Sequence, residues 1–247
     1  MANPVTAKRS DGRKADGLRP VTLKMGCAPN AEGSCLVSVG STRVFCTASV
    51  EETVPPFLRG KGTGWVSAEY AMLPRSCPTR ISRASTRGKT DGRAQEIQRL
   101  IGRALRSVTR FDLLGERTVW LDCDVIQGDG GTRCAAITGA YCALHAACRG
   151  LVDRGIIQTF PLSHLVAAVS VGIVKGRACL DLCYAEDSTA DVDMNIVMTS
   201  AGGFVEIQGT AEKKPFSRAA MDELTALAQK GIRALILQQK KALLIRS

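Results

Sequence analysis

Leu36–Val50 reads LVSVGSTRVFCTASV, a strand, a turn at Gly40-Ser41 and a second strand. Alternating and β-branched residues on either side of a small-residue turn are the mark of a hairpin. Leu165–Tyr184 repeats the pattern as LVAAVSVGIV, a turn at Lys175-Gly176, and ACLDLCY. Both contain VSVG (Val37–Gly40 and Val169–Gly172), and each runs into acids, Glu51-Glu52 in one and Glu186-Asp187 in the other. The shared order points to an internal duplication.

Helices punctuate each half. Ala94–Arg110 sets Ile97, Leu100, Ile101, Ala104, Leu105 and Val108 on one stripe and Arg99, Arg103, Arg106 and Arg110 on another. Thr132–Leu151 is alanine-rich on nearly all sides, which predicts a buried helix. A third, amphipathic helix is expected from about Ser217, with Ser217 as its cap. Two hairpin-and-helix halves packed in layers make an α+β domain.

Between the halves lies DVIQGDGGTRCAAITGAYCALHAA, Asp124–Ala147. A strand-like run meets Gly128-Asp129-Gly130-Gly131, and Thr132 and Arg133 then open the alanine-rich helix. Such a layout offers bare amides and a positive helix end to an anion. It has neither the lysine of GxxxxGK[ST] nor the GxGxxG spacing, so which phosphate it holds stays open on the motif alone. Arg133 adds a planar fork of donors, and Arg93, after Gly92, opens a second anion-suited helix start. The plain alternative is a glycine-rich turn and nothing more.

Bulk properties narrow the classes. The chain has 247 residues and a net charge of +10. Nine arginines and one lysine against Asp91 and Glu96 give Ala71–Arg110 a charge of +8. Clustered arginines suit a polyanion, and 4% aromatic content favours contact with its backbone over base stacking. Arg75, Arg80 and Arg83 stand in a Pro- and Ser-containing loop where packing gives no reason for three arginines, so nucleic-acid phosphates are their expected partners. The polar N-terminus lacks an apolar signal core, and the longest apolar run, Leu165–Val174, is too short to span a membrane. Ten cysteines without a CxxC, with His145 and His164 as the only histidines, predict reduced, mostly buried thiols in a cytoplasmic protein and no zinc site.

The acids crowd elsewhere. Asp181, Glu186, Asp187, Asp191 and Asp193 fall within thirteen residues. If a strand begins at Val192, Asp191, Asp193 and Asn195 share a face while Met194 and Ile196 pack inward. Carboxylates at this density need arginines or a cation nearby, and oxygen ligands without His or Cys favour Mg2+ or Mn2+. An acidic solvent turn is the alternative, and it fits Glu186 and Asp191 better than Asp193.

Taken in order, GSCLVSVGSTRVFCTASVEE, GTGWVSAEYAMLPRS, GRAQEIQRLIGRALR, LDCDVIQGDGGTR, YAEDSTADVDMNIVMT and VEIQGTAEKKPF resemble bacterial ribonuclease PH from about Arg19 to Leu243. The resemblance implies a ribosomal-protein-S5-domain-2-like fold of two related halves, as one ribonuclease PH domain over residues 17–247. It implies a phosphate-dependent 3′→5′ exoribonuclease that trims tRNA precursors as a homo-hexamer, a ring of dimers, with no DNA or membrane partner. In its terms Arg93, Gly131, Thr132 and Arg133 bind inorganic phosphate as co-substrate. Asp187 and Asp193 are the catalytic and metal-binding acids, and Arg75, Arg80 and Arg83 contact tRNA. The leader, residues 1–16, matches the family poorly and is assigned no role. Ala84, where the family commonly has glutamate, and Lys213-Lys214 make the surface more basic. A non-catalytic RNA-binding ring subunit would lack the phosphate arginines or the acids, and all are present. A hydrolytic nuclease would leave the phosphate loop unexplained.

Overall fold

The computed structural model describes residues 9–83, 91–212 and 214–245, so Ala84 and Lys213 lie outside the described residues. Five strands form the first sheet: β1 (Val21–Met25), β2 (Gly33–Val39), β3 (Thr42–Glu51), β4 (Trp65–Met72) and β5 (Thr118–Gln127), in the order β1-β2-β3-β5-β4. The first hairpin closes at Val39 opposite Thr42, with Gly40 in the turn. β4 and β5 run parallel, joined through α1 (Gly92–Arg106) and the single turn α2 (Phe111–Leu114).

The second sheet holds β6 (Val166–Val174), β7 (Arg177–Leu180), β8 (Val192–Thr199) and β9 (Phe204–Ala211), in the order β7-β6-β8-β9. Its hairpin turns at Lys175 and Gly176, both at positive φ, as a two-residue turn between twisted strands requires. The two VSVG segments hold different places. Gly40 is in a turn, whereas Gly172 is inside β6 opposite Asp193, where a Cβ would lie 2.3 Å from the Val192 carbonyl oxygen. The likeness of the halves therefore rests on hairpin-and-helix order and not on those four letters.

Between the sheets runs α3 (Thr132–Asp153). One core joins its Ala136, Ile137, Ala140 and Leu144 to Val37, Val44 and Cys46 of the first sheet and to Val166, Ala168 and Val197 of the second. A helix covered on both sides can be apolar all round. By length and composition α3 could cross a membrane, but 78% of its apolar window is buried inside the protein. Its small residues set how near the sheets come: a Cβ on Gly139 would stand 2.6 Å from Val37 Cγ1 and 2.9 Å from Cys46 Sγ.

The outer face of the second sheet is closed by α5 (Arg218–Ala242), which packs Leu224, Ala228, Ile232 and Leu235 on Val169, Val171, Met194 and Ile196. Ser217 caps it, accepting from the Ala220 amide at 3.2 Å. Buried Gln239 ties α5 to the interior by donating to the carbonyls of Thr138 and Val166. All ten cysteines are free thiols, eight of them buried.

Several expectations shift here. The arginine-bearing helix ends at Arg106, not Arg110, although Val108 is still buried. The described arginines of the +8 window do not all stand free. Arg103 pairs with Glu206, Arg110 pairs with Asp112, and Arg106 lies 4.8 Å over the Trp65 ring while donating to the Val66 carbonyl. Behind Asp193 and Asn195 the strand is not open: Asn195 is 8% and Val197 1% exposed, because α3 covers that face as α5 covers the other.

Gly139→Val should lower the free energy of unfolding by about 1–3 kcal/mol, because a close-packed contact must be forced apart. Urea denaturation reads this as a lower midpoint with an unchanged slope.

Candidate active site

The chain leaves β5 at Gln127 and enters α3 at Thr132, turning through Gly130 (φ 74) and Gly131 (φ 67). Both lie in the left-handed region that glycine occupies without steric cost. Gly130 has a second reason: a Cβ there would stand 2.7 Å from the backbone of Leu182, Cys183 and Tyr184. The acid-bearing segment is thus seated directly on the glycine loop. No side chain caps α3, so its first amides keep their donors for a ligand. The other helix start is different, since Asp91 caps α1 by accepting from the Arg93 amide at 3.1 Å. That end already holds an anion, and Arg93 contributes its side chain alone.

Around the uncapped end lies a polar cleft of about 890 Å³. It gathers Arg93 and Glu96 from α1, Gly131, Thr132 and Arg133 from the loop and α3, Asp193 from β8, Gln208 from β9, and Glu212 just beyond it. Asp187 comes from α4 (Tyr184–Asp187), the turn resting on the loop. Six residues singled out from sequence, Arg93, Gly131, Thr132, Arg133, Asp187 and Asp193, therefore share one wall-to-wall space. Arg75, Arg80 and Arg83 do not line it. They are exposed on the loop after β4, and among the described residues none is held by a hydrogen bond or ion pair. Their loop is nonetheless tied to the glycine loop, because the Gly128 amide donates to the Ser76 carbonyl at 2.8 Å.

Electrostatics divide the cleft in two. Burial raises the Asp187 carboxyl above its ordinary value, with Arg93 and Arg133 opposing. Burial, reinforced by the charge of Asp187, pushes Asp193 up to about 6. Two desolvated carboxylates, one raised further by the charge of the other, form a site a cation relieves. Among the described residues no three His, Cys, Asp or Glu side chains make a complete metal cage. Mg2+ and Mn2+ fit two carboxylates with water and substrate phosphate completing the shell, so the donor set suits such an ion.

Sequence reasoning missed the groups that orient these residues. Arg133 Nη1 donates to Gln208 Oε1 at 2.8 Å, and Gln208 Nε2 donates to Glu96 Oε1 at 2.6 Å. Tyr70 and Thr132 share a buried 2.8 Å hydroxyl contact. No local pattern marks Gln208 or Tyr70, because each acts through an element distant in the chain. The acid cluster is also not one unit. Glu186 is buried and paired with Arg9 at 2.6 Å, and Asp181 with Arg19 at 2.6 Å, so Glu186 belongs to no solvent turn and the leader is not idle.

Domain 1 of the 3′ exoribonuclease family matches residues 17–149, and domain 2 matches residues 164–231. The chain belongs to the 3′ exoribonuclease family. Ribonuclease PH of Halalkalibacterium halodurans is 57% identical over 236 residues, spanning 95% of this chain and 92% of that protein. This places the chain among the phosphate-dependent 3′→5′ exoribonucleases of that family. Its fold is shared by a chain of the Archaeoglobus fulgidus exosome with RNA bound to the active site. There the TM-score is 0.79 at 23% identity, covering 94% of this chain and 92% of that one. A chain of the archaeal exosome core gives a TM-score of 0.74 at 22% identity, covering 95% and 91%.

A pH effect follows from Asp193 in protein free of metal and phosphate. Its folded-state pKa of about 6 lies above the unfolded value of 3.8, so the folded state loses stability as pH rises through that interval. Asp193→Asn should be nearly neutral at pH 4 and stabilise by about 2–3 kcal/mol above pH 6.5. Chemical denaturation across a pH series checks both the size and the window.

Proposed function

We propose that this exoribonuclease trims the 3′ ends of tRNA precursors by phosphorolysis, working as a homo-hexamer built from dimers. One observation carries the reading of the chemistry: an uncapped, glycine-opened helix start and two arginines face two desolvated carboxylates across a single cleft. A site for one anion beside a site for a cation is what joining phosphate to an RNA diester needs. The reactants repel each other, and fixed charges offset that repulsion without reorganising.

In this reading inorganic phosphate lies on the amides of Gly131 and Thr132, between Arg93 and Arg133. Glu96 and Gln208 hold the Arg133 fork at the cleft wall. A phosphate oxygen bonds to the phosphorus of the terminal diester as the bond from that phosphorus to the 3′ oxygen of the preceding nucleotide breaks. The products are a nucleoside diphosphate and an RNA one residue shorter. The departing 3′ oxygen needs a proton, and the raised Asp193 carboxyl supplies it, directly or through water, from the minor fraction protonated at neutral pH. Asp187 and Asp193 would hold Mg2+ or Mn2+, which when bound supplies positive charge to the phosphoryl oxygens. Arg75, Arg80 and Arg83 grip the body of the tRNA, away from the scissile bond. Collecting such loops round a ring explains how a +10 chain concentrates charge for RNA without packing it into one subunit's core.

The deciding assay uses 3′-labelled RNA with and without inorganic phosphate. Release should need phosphate and yield nucleoside diphosphates, and excess nucleoside diphosphate should lengthen the RNA. Monophosphates formed in phosphate-free buffer would mean hydrolysis. Arg133→Ala should raise the KM for phosphate about ten- to a hundredfold, the worth of a charge-assisted bond, whereas Asp193→Asn should lower kcat and leave RNA affinity near normal.

A second measurement concerns the exposed loop. Replacing Arg75, Arg80 and Arg83 with alanine should slow trimming of a structured tRNA precursor and flatten the salt dependence of its binding. A short oligonucleotide that does not reach the loop should be degraded at the normal rate. Equal loss on both substrates would place these arginines in the reaction itself.

A further inference from the structure

Behind the cleft, and lining none of it, three arginines meet two carboxylates. Arg9 is 7%, Arg19 5%, Asp181 4% and Glu186 5% exposed. Arg9 grips Glu186 with both edges of its fork, Nε to Oε1 at 2.7 Å and Nη2 to Oε2 at 2.6 Å. It also donates to the carbonyls of Leu180 and Asp181. Arg19 grips the Asp181 carboxylate through Nε and Nη2 and donates from Nη1 to the carbonyl of Asp129 in the phosphate loop. Arg13 adds a 3.3 Å contact to Asp181.

What these bonds hold is specific. Glu186 accepts from the Cys183 amide and so closes α4, and the next residue is Asp187. The Tyr184 amide at the start of the same turn donates to Asp129 Oδ1. Asp181 is held at φ 55, a conformation uncommon for a residue with a side chain and sustained here by bonds from three sides. Phosphate loop and acid turn are thus fastened to each other from behind, by residues that do not line the cleft. The bonds from Arg9 and Arg13 come from the leader, which sequence alone left without a role.

We propose that Arg9 and Arg19 are positioning residues that join the phosphate loop to the turn carrying Asp187, so that this brace, which the leader supplies in part, sets the distance between nucleophile and catalytic acids. This rests on the phosphorolytic reading of the cleft. The two arginines act at different ends of the brace. Arg9 holds the acid turn and so governs the chemical step, while Arg19 holds the loop carbonyl and so governs phosphate binding. Groups that orient an active residue without touching substrate are typically worth about ten- to a hundredfold in activity.

The test compares Arg9→Lys and Glu186→Gln, which keep bulk but break the paired fork, with Arg19→Lys. Steady-state phosphorolysis is measured at varied phosphate beside hydrogen exchange of the free protein. Arg9→Lys and Glu186→Gln should lower kcat about tenfold with the phosphate KM within about twofold of the parent, and should speed amide exchange in 184–188 while leaving α3 protected. Arg19→Lys should instead raise the phosphate KM about tenfold. Arg218→Met, which breaks an exposed pair with Asp222, should change nothing. Parent-like kinetics in the Arg9 and Arg19 variants would overturn the proposal. So would a loss of protection spread through α3 with kcat and KM moving together, because that is general destabilisation. The exchange comparison needs no turnover: if the parent itself shows no phosphate-dependent release, the functional reading fails while local exchange still reports on the brace.

Discussion

Everything at the active cleft depends on the burial of α3 between two sheets. Its alanines, glycines and cysteines let the first sheet approach until a Cβ on Gly33 would stand 2.0 Å from the Ala143 carbonyl oxygen. The opposite side packs on β6 and β8. A helix clamped in this way resists shifting along its axis, so its uncapped start presents its free amides from a fixed position. Catalysis by fixed dipoles requires this, because donors that need not reorganise stabilise charge more effectively than mobile ones.

Charge is distributed by a similar logic. A chain with a net charge of +10 pairs several of its acids with arginines and leaves other arginines in solvent. Arg9, Arg13 and Arg19 offset Asp181 and Glu186 in the interior. Arg103 and Arg110 carry acidic partners on the surface. Asp187 and Asp193 are left facing the cleft with raised pKa values, which suits a site that binds a cation or a proton. Arg75, Arg80 and Arg83 remain exposed.

The fold is shared with chains of exosomes at 23% and 22% identity, and at that distance the fold alone carries over. The groups in the cleft say more. A ring subunit that only bound RNA would have no need for desolvated acids opposite an anion loop, since burying unpaired carboxylates costs stability. Keeping both Asp187 and Asp193 there makes sense when the cost is recovered during the reaction.

Much of this was legible along the chain. The hairpin at Gly40-Ser41, the capped start of α5 at Ser217 and the buried alanine-rich helix follow from periodicity and turn chemistry, which act within a few residues. The glycine loop and Arg133 were legible for the same reason, since an anion site at a helix start is a local arrangement. Which carboxylates would be free was not legible from local pattern, and it was the family resemblance that singled out Asp187 and Asp193. Asp181, Glu186, Asp187 and Asp193 look alike in sequence, and only the topology brings Arg9 to Glu186 across 177 residues and Arg19 to Asp181 across 162. The same holds for Gln208 on Arg133 and Tyr70 on Thr132. Pairing of charges depends on distance in space, to which order along the chain is no guide, so the sequence determined the elements and their reactive ends while the tertiary structure decided which charges remain available for chemistry.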